Sequence, residues 1–516
     1  MMKTTIKIAG YFLTGVMVLG LNSGCNKLED FGDTNVNPNG STYAETANLI
    51  SSAQTRLGSR TFASNDAAAT TDAGFFCQYF SEPTYPGLSR YTVPQVNSSG
   101  IYSGGLYDLK TIIDRNTDPA TRPAAANSGS NESQIAMSRV MKAYIYWIIT
   151  DRWGDMPYSE ALQGLAIPTP KYDSQESIYT DMLKELSEAV DQFDASGITV
   201  KGDLIYNGNV GKWQRFTNSL RMLMALRLSK VYPNAGDYAA TQFAAAANHA
   251  AGFITSNADN FKLFYPGNTL NYNNPWYGTG GSADLGESQT MTDALTALSD
   301  SRIAVFGSNN TGVPYGLAAA APTNVTYAKI LSSPFKQVSG DFVFINAASV
   351  LLAQAEGIQR GWISGDDKAA YDAGVAASFD QWGVTMPATY LTTGVTNYNT
   401  GAGVASIGGA SVAGSNALTP TKLTRIQLQQ WLAFYPVANQ GYANWRRTEY
   451  KDGGGVVHHV PDLKPTIYPA TSHTQIPRRF TYGTNEYSLN LEQVTLAAQH
   501  IGGDDQDTRV WWDKQP

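Results

Sequence analysis

The side chains that most often perform chemistry occur in this sequence without the spacing that catalysis requires. There is no Gly-x-Ser-x-Gly, no His-Glu-x-x-His, no P-loop and no Cys-x-x-Cys. His458 and His459 are adjacent, and adjacent histidines are poorly placed to bind one metal ion. Asp504–Asp507 resembles part of a calcium loop but lacks its glycine and terminal glutamate, which indicates an exposed acidic turn. The sequence therefore contains no recognisable catalytic or metal-binding motif, and we expect no catalytic residue, metal or cofactor.

The N-terminus has the organisation of an export signal that ends at a cysteine. Two lysines precede the mostly apolar run Ile8–Leu21, which is too short to span a bilayer comfortably, and small residues then precede Cys25. This ending resembles a lipobox, where a diacylglycerol is joined to the thiol, although Asn22 stands where leucine is preferred. We predict a signal peptide at 1–24, lipidation of Cys25 and a tether at 25–40. The alternative is an ordinary cleaved signal with a fortuitous cysteine.

Composition limits the class of partner. The formal net charge is −7, so no basic field exists to attract nucleic acid. If Cys25 is lipidated, Cys77 is alone, and in its apolar surroundings we expect it to be a core residue. Only 15% of the residues are charged, which suits an extracellular protein that handles neutral ligands.

Aromatic side chains are concentrated in two loop-like segments. A tyrosine or tryptophan ring can stack on the apolar face of a sugar, while asparagine, aspartate and arginine can hydrogen-bond its hydroxyl groups. We therefore expect ligand contacts among ten side chains of these segments: Tyr79, Tyr85, Arg90, Tyr91, Tyr102 and Tyr107 in the first, and Tyr265, Tyr272, Trp276 and Tyr277 in the second. For any one ring, the alternative is that it fills a gap between loop and scaffold.

Helices must position these loops. The segments with a 3.6-residue apolar period are 132–151, 174–194, 211–231, 239–255, 342–360, 366–382 and 421–434. Asp173 is the expected N-cap of the second, with Glu176 as its partner. Further helices are expected to begin near 42 and 107, and strand signals are few. The pattern predicts one mainly α domain over 41–516, in which long ordered loops decorate a helical scaffold.

Short motifs along the chain carry a family resemblance. Tyr146–Leu162 is similar to the region after the second scaffold helix of SusD/RagB-type nutrient-binding outer-membrane lipoproteins. Further segments that resemble the family, in the same order, are Phe31–Asn39, Lys171–Tyr179, Leu183–Leu186, Asp203–Gly208, Lys212–Trp213, Asn218–Arg221, Arg360–Trp362, Trp445–Thr448, Ile476–Phe480 with Tyr482, Glu486 and Asn490, and Asp507–Asp513. Two positions depart from the family pattern: Gln354 replaces a frequent glutamate, and Glu449–Lys451 replaces a Gly-Tyr-Pro-like turn.

The resemblance implies a fold and a role. It implies helix pairs of the tetratricopeptide type on one side and ligand-binding loops on the other. It also implies a lipoprotein on the exterior of the outer membrane, attached through its lipid alone, which captures a glycan for a SusC-like TonB-dependent transporter. In the family the loops after the first helix commonly contribute to the ligand face, which favours the first aromatic segment.

The resemblance leaves the ligand open. A peptide-binding relative of the same family is one alternative, and a surface glycoside hydrolase with two unrecognised carboxylates is another. A structural lipoprotein without a small ligand is the third. Because the shared motifs are mostly scaffold, we expect the dibasic pairs Arg446-Arg447 and Arg478-Arg479 to form internal ion pairs.

Overall fold

A computed structural model describes most of the chain. The described residues are 44–58, 71–92, 97–195, 197–267, 272–279, 284–401, 421–466 and 475–516. The predicted signal peptide, Cys25 and the predicted tether lie outside them. Within the described residues, no helix is both long enough and apolar enough to cross a membrane.

Helices dominate the described residues, as predicted. The α-helices are α1 (Thr46–Thr55), α2 (Thr71–Phe76), α3 (Ser99–Ile101), α4 (Tyr107–Thr117), α5 (Arg122–Ala125), α6 (Asn131–Trp153), α7 (Gln175–Gln192), α8 (Val210–Arg227), α9 (Tyr238–Ala247), α10 (Pro275–Thr279), α11 (Gln289–Ala297), α12 (Ile303–Phe306), α13 (Ala347–Gln359), α14 (Asp367–Gln381), α15 (Lys422–Ala433), α16 (Ala438–Arg447), α17 (Thr484–Leu489) and α18 (Leu491–His500). A π-helical turn, Tyr102–Leu106, joins α3 to α4, and short 3₁₀ turns include Leu88–Arg90, Asn257–Asp259 and Ser333–Phe335.

Polar caps fix where the scaffold helices begin. Ser130 caps α6 and Asn346 caps α13, each accepting a hydrogen bond from the backbone N–H three residues on. The cap of α7 is Ser174, whose hydroxyl accepts from the Ser177 N–H at 3.2 Å. The predicted cap, Asp173, was wrong, because its carboxylate is instead bonded to the backbone and hydroxyl of Ser159 across a short strand pair.

Neighbouring helices pack in pairs, which confirms the helix-pair scaffold. α6 packs against α7, α8 against α9, and α13 against α14, while α15 packs on α13 and α16. The long helix α6 is buried on almost every face from Ser133 to Trp153. Its Trp147 indole N–H donates to the Tyr179 hydroxyl of α7 at 2.9 Å. The pairs therefore share one continuous core, as the apolar stripes predicted.

Eight short strands form four antiparallel pairs among the described residues. They are β1 (Phe80–Ser81), β2 (Met156–Pro157), β3 (Tyr172–Asp173), β4 (Phe261–Tyr265), β5 (Gly286–Glu287), β6 (Gly340–Ile345), β7 (Tyr450–Lys451) and β8 (Val457–His458). β1 pairs with β5, β2 with β3, β4 with β6, and β7 with β8. The longest pair, β4–β6, places Lys262 opposite Val343 and Phe264 opposite Asp341. The apolar run at 342–345 is therefore a strand before α13 and not the first turn of the predicted helix.

Buried arginines tie the C-terminal motifs to the scaffold. Arg447 pairs with Glu356 at 2.6 Å, and Arg479 with Asp504 at 2.6 Å. Arg478 donates to the buried Asp513 carboxylate. These three confirm the predicted internal ion pairs. Arg446 differs, because its guanidinium donates to the backbone carbonyls of Arg478 and Asp151.

Two residues singled out in the sequence have structural roles. Asp504 also accepts from the Tyr482 N–H and the Tyr487 hydroxyl, so its carboxylate organises the predicted acidic turn. Cys77 is a free, fully buried core residue, as predicted. Burial raises the pKa of its thiol well above the usual value.

Candidate functional site

The two aromatic segments of the sequence are joined at their bases. β1 follows Tyr79, and β5 follows the segment of Tyr272 and Trp276, so the β1–β5 pairing brings the segments side by side. The ring of Phe80 packs edge to face against Trp276 with centroids 6.3 Å apart. The candidate site lies beside this contact.

A cavity of about 330 Å³ opens where β4, β6 and the end of α14 meet. One wall contains Trp276, and the facing elements contribute Phe335 and Trp382. The segment Phe434–Val437, between α15 and α16, also lines it. A volume of this size is at the lower end of small-ligand pockets and suits one or two sugar rings.

Asn274 holds Trp276 in the cavity wall. Its side-chain oxygen accepts from the Trp276 N–H at 3.0 Å, and its amide donates to the Asp341 carbonyl at 3.2 Å. The indole ring lies parallel to Phe342 with centroids 5.7 Å apart and is almost fully buried. Trp276 is thus fixed from both its backbone and its ring, so it forms a rigid part of the wall.

Aromatic packing also fixes the part of the lining that contains Trp382 and Tyr435. Trp382 packs edge-on against Phe306 and Phe335, with centroid distances of 5.4 and 4.9 Å. Tyr435 stacks on Phe306 at 4.4 Å and donates its hydroxyl hydrogen to the Phe306 carbonyl at 2.7 Å. The cavity is therefore bounded by rings that already have firm packing partners.

The charged side chains of the cavity lining are one lysine and two aspartates. Lys262 and Asp341 form an ion pair at 2.6 Å across the outward face of β4–β6. Asp380 accepts from the Asn257 amide at 2.9 Å, and its side chain is exposed. The one cation is paired, so this lining does not select an anionic ligand.

Three exposed rings lie on the elements that form the cavity. Tyr272 and Tyr277, which flank Trp276 in sequence, are 50% and 48% exposed, and Phe264 of β4 is 58% exposed. The Gly267 N–H donates to the Tyr272 carbonyl at 2.9 Å, which anchors Tyr272 beside the end of β4. Exposed rings on rigid elements are suitable platforms for an apolar sugar face.

Phe264 was missed by the sequence interpretation. In Phe261–Tyr265 the buried and less buried positions alternate, so Phe264 shares the outward face with Lys262. The sequence signal was an apolar residue at a position of the alternating strand pattern that is usually polar and exposed. Recognising it requires knowing that this run is a strand, which its five residues alone do not establish.

Four of the ten predicted ligand contacts are core residues. Trp276 lines the cavity, and the other three do not. Tyr79 and Tyr91 have no exposed surface: Tyr79 donates to the Trp431 carbonyl, and the Tyr91 hydroxyl accepts from the Thr466 N–H at 3.0 Å. Tyr265 faces inward on β4 and is also buried. None of these three tyrosine rings offers a free face to a ligand in this structure.

The remaining residues of the first segment are dispersed. Tyr102 and Tyr107 line a different cavity of about 360 Å³, and Tyr102 donates to the Pro157 carbonyl at 2.8 Å. Tyr85 is 70% exposed in the loop after β1. Arg90 is half-buried and donates to the Ala318 carbonyl at 3.4 Å. Apart from Tyr79, Tyr91 and Tyr265, the predicted set thus separates into a group around Trp276, a group around Tyr102, and two residues that line neither cavity, Tyr85 and Arg90.

Comparison with known proteins gives a consistent set of relatives. A family model named SusD-like, with the description "Starch-binding associating with outer membrane", matches residues 38–483. A chitin-binding SusD homolog from Flavobacterium johnsoniae is 25% identical and superposes with a TM-score of 0.71, covering 91% of this chain and 99% of its own.

Two further solved structures show the same fold. A SusD homolog from Bacteroides thetaiotaomicron is 21% identical with a TM-score of 0.73, covering 92% of this chain and 100% of its own. A SusD homolog from Bacteroides uniformis is 24% identical with a TM-score of 0.69, covering 90% and 99%. A sequence search of curated proteins finds no match.

Proposed function

The chain belongs to the SusD-like family, and from that premise we propose that it is a glycan-binding lipoprotein of the outer cell surface. In this proposal a lipid on Cys25 attaches the protein to the outer membrane. The protein captures an oligosaccharide and passes it to a SusC-like TonB-dependent transporter. No bond of the ligand is made or broken.

The cavity between Trp276 and Trp382 carries the proposal. It combines firmly packed rings, a neutralised ion pair and three exposed rings on the adjoining elements. A sugar ring offers an apolar C–H face and a polar edge, which such a surface can contact simultaneously. For this site we propose Phe264 and three residues that the sequence predicted as ligand contacts: Tyr272, Trp276 and Tyr277.

The relatives support a polysaccharide ligand. The family description names starch, and the Flavobacterium johnsoniae homolog is described as chitin-binding. Neither of these descriptions mentions a peptide or an enzymatic activity. Starch and chitin are both neutral polymers of pyranose rings, in agreement with a cavity lining whose one cation is paired.

Substitution of the exposed rings tests the site. Calorimetric titration would measure affinity for neutral glucan oligomers, chitin oligomers, uronate oligomers and short peptides. Tyr277→Ala and Phe264→Ser should each weaken binding of the best glycan by about tenfold, because each removes a stacking face worth about 1.4 kcal/mol. Both side chains are about half exposed, so the fold should persist.

Tyr85→Ala and Tyr107→Ala are the matched controls, since both rings are also exposed but lie on segments that contribute no residue to the cavity lining, unlike β4 with Phe264 and α10 with Tyr277. Unchanged affinity in these two variants supports the cavity. If Tyr85→Ala or Tyr107→Ala abolishes binding while Tyr277→Ala does not, the glycan binds at the first aromatic segment. If the wild-type protein binds only peptides, the glycan proposal fails. Release of shorter oligosaccharides from the bound glycan would contradict the non-catalytic role.

The anchor and the transporter are tested separately. Cys25→Ala should release the protein from the membrane fraction, and the wild-type protein should incorporate radiolabelled palmitate in growing cells. Affinity purification of the wild-type protein from solubilised membranes should recover a TonB-dependent barrel. Wild-type protein recovered without lipid from the medium would contradict the anchor, and purification without any barrel would contradict delivery.

A further inference from the structure

A second cavity, of about 530 Å³, lies within the helical scaffold and shares no lining residue with the first. Its walls are formed by helices α4, α6 and α7, strand β3 and the loop after β2, and we call it the scaffold cavity. The volume is within the range of small-ligand sites, so a ligand of about two sugar rings can fit.

Most charged side chains of the scaffold cavity already have partners. Arg139 donates to both carboxylate oxygens of Glu185, at 2.7 and 3.0 Å. Lys110 pairs with Asp114 at 2.5 Å, and the Asp173 carboxylate accepts hydrogen bonds from the backbone and hydroxyl of a serine in the neighbouring loop. These groups hold the walls together and are not free to bind a ligand.

Lys142 and Asp181 are different, because each has a free polar atom. The Lys142 ammonium has no hydrogen bond or ion pair within the described ranges, and the Oδ1 oxygen of Asp181 has none there either. The Oδ2 oxygen accepts from the Tyr158 hydroxyl at 2.7 Å. Both side chains are half-buried, and neither free atom is among those that the fold seals from solvent. A ligand in the scaffold cavity can therefore reach both.

Lys142 and Asp181 attract each other without contact. Burial lowers the pKa of Lys142, while the nearby carboxylates of Glu185 and Asp181 act in the opposite direction. The Lys142 ammonium nevertheless forms an ion pair with neither of these two carboxylates. A cation and a carboxylate that attract across a cavity without meeting leave room for a polar group that bridges them.

The bridging group must accept one hydrogen bond and donate another. An ammonium has only donors and a carboxylate only acceptors, whereas a hydroxyl group offers both on one oxygen. Two neighbouring hydroxyls of a sugar ring offer them from one rigid frame. The lining carries three basic and four acidic side chains, so it does not favour an anion, and the free ammonium disfavours a cation. The chemistry therefore fits a neutral ligand that carries hydroxyl groups.

Two tyrosines add ring surface to this lining. Tyr146 and Tyr158 pack edge to face with centroids 4.6 Å apart. Because the Tyr158 hydroxyl is bonded to Asp181, apolar ring surface adjoins one of the two free polar groups. A sugar needs both kinds of contact, since it has an apolar face and a polar edge.

We propose that the scaffold cavity is a second, separate site for a neutral sugar unit, in which Lys142 donates to one ring hydroxyl and Asp181 accepts from its neighbour. This inference goes beyond the proposed function, which gives the chain one glycan site at Trp276. Two sites on one chain hold a long polysaccharide more firmly than either site alone, because the second contact forms within a complex that is already bound.

Acetylation of lysines reports on the two cavities separately in the wild-type protein. Lys142 lines the scaffold cavity, Lys262 lines the Trp276 cavity, and Lys184 lines neither. The probes are hexamers of α-1,4-linked glucose, β-1,4-linked glucose and β-1,4-linked N-acetylglucosamine, and mass spectrometry measures the rate at which acetic anhydride modifies each lysine. A hexamer at tenfold its dissociation constant leaves about one-tenth of a site empty, so acetylation of Lys142 should slow about tenfold and that of Lys184 should not change.

Lys142→Met tests the ammonium, because it keeps an unbranched side chain and removes the charge. In Phe264→Ser/Tyr277→Ala, whose first site is weakened, calorimetric titration should still detect the hexamer that protects Lys142. Adding Lys142→Met should lower this remaining affinity at least about tenfold, as expected for a lost hydrogen bond to a charged group. Lys184→Met is the matched control, because it removes an exposed lysine, paired with Glu188, that lies outside the lining. It should leave the remaining affinity unchanged.

The outcomes separate this inference from the proposed function. Slower acetylation of Lys142, together with weaker remaining affinity in Lys142→Met, supports the second site. If Lys142→Met does not fold, the acetylation rates of the wild-type protein decide. Unchanged acetylation of Lys142 with every hexamer, or no effect of a folded Lys142→Met, overturns the inference, and water alone then bridges the gap.

The acetylation of Lys262 shows which proposal fails. Protection of Lys262 alone overturns the inference and leaves the proposed Trp276 site standing. Protection of Lys142 alone supports the inference and removes the site at Trp276. Absence of binding by any hexamer overturns both proposals.

Discussion

The rings of Phe80 and Trp276 meet edge to face with their centroids 6.3 Å apart. Phe80 is fully buried on β1, and Trp276 forms a wall of the cavity. This contact transmits the position of the β1–β5 pair to the candidate site. A substitution of Phe80 should therefore alter ligand binding, although Phe80 does not line the cavity.

Phe80→Leu should lower the free energy of unfolding by about 1–2 kcal/mol, because a buried ring is replaced by a smaller side chain. It should also weaken glycan binding, since Trp276 loses one of its supports. Thermal unfolding and calorimetric titration measure the two effects. Phe193→Leu is the control: Phe193 stacks on Trp213, outside the cavity lining, and should lose stability alone. Unaltered glycan affinity in Phe80→Leu would show that Trp276 needs no such support.

The buried pair of Arg447 and Glu356 should be essential for stability. Burial alone would raise the pKa of Glu356, but Arg447 and Arg360 outweigh it and hold this pKa at about 2. Arg447→Met should destabilise the fold by about 3–5 kcal/mol, because a buried charge loses its partner. The double variant with Glu356→Gln should recover part of this loss. Lys184→Met, at an exposed pair with Glu188, should change unfolding by denaturant very little.

The same pair predicts a dependence on acid. A carboxyl group with a lowered folded-state pKa contributes stability that is fully present above its unfolded value near 4.5 and is lost as the pH falls towards 2. The wild-type protein should therefore lose unfolding free energy across this interval. The Glu356→Gln/Arg447→Met variant should lose less over the same interval. If both proteins lose the same free energy of unfolding over this pH interval, Glu356 does not account for the loss.

Glu287 should show the opposite behaviour. Its side chain on β5 is fully buried, its oxygens have no hydrogen-bond partner among the described residues, and burial raises its pKa well above 4.5. Because the folded state holds this proton more tightly, stability should fall as the pH rises from about 4.5 towards the raised pKa. Glu287→Gln should abolish that component. Relative to the wild type, the variant should be more stable at pH 8 than at pH 5. An identical difference in the free energy of unfolding at both pH values would refute the assignment.

The ion pair at the cavity should matter for binding more than for stability. Lys262 and Asp341 are each more than a third exposed, and such pairs contribute little to folding. Lys262→Met should leave the unfolding temperature nearly unchanged. It should weaken glycan binding several-fold, because the cavity loses a donor and gains an uncompensated carboxylate. If the variant unfolds at a much lower temperature and binds glycan normally, the pair contributes to stability and not to binding.

The scaffold helices were predictable because their apolar residues recur at the helical period, even in α6, which is buried on almost every face. The segment 366–382 became Asp367–Gln381, and 421–434 became Lys422–Ala433. Helix α16 was not predicted, because only four of its ten buried residues are apolar: Ala438, Tyr442, Ala443 and Trp445. Most of its other residues, such as Asn444 and Arg446, are buried with hydrogen-bonded polar groups, which weakens the hydrophobic pattern.

The sequence indicated which aromatic-rich segments could form the candidate site, but not which of their rings line the cavity. The second aromatic segment does supply the cavity wall, but Tyr79, in the first, is enclosed between Trp431 and Tyr435. Irregular segments have no period that separates inward from outward positions.

The walls of the cavity come from six separate stretches of the chain: 257–262, 274–276, 331–335, 339–346, 380–382 and 433–437. An unfolded chain cannot hold these stretches together, so only the native state can bind the ligand. Occupancy must therefore raise the melting temperature: a sugar present at a hundredfold its dissociation constant adds about 2.7 kcal/mol to the folded state. A library of oligosaccharides can accordingly be screened by heating alone, without a label or an immobilised surface.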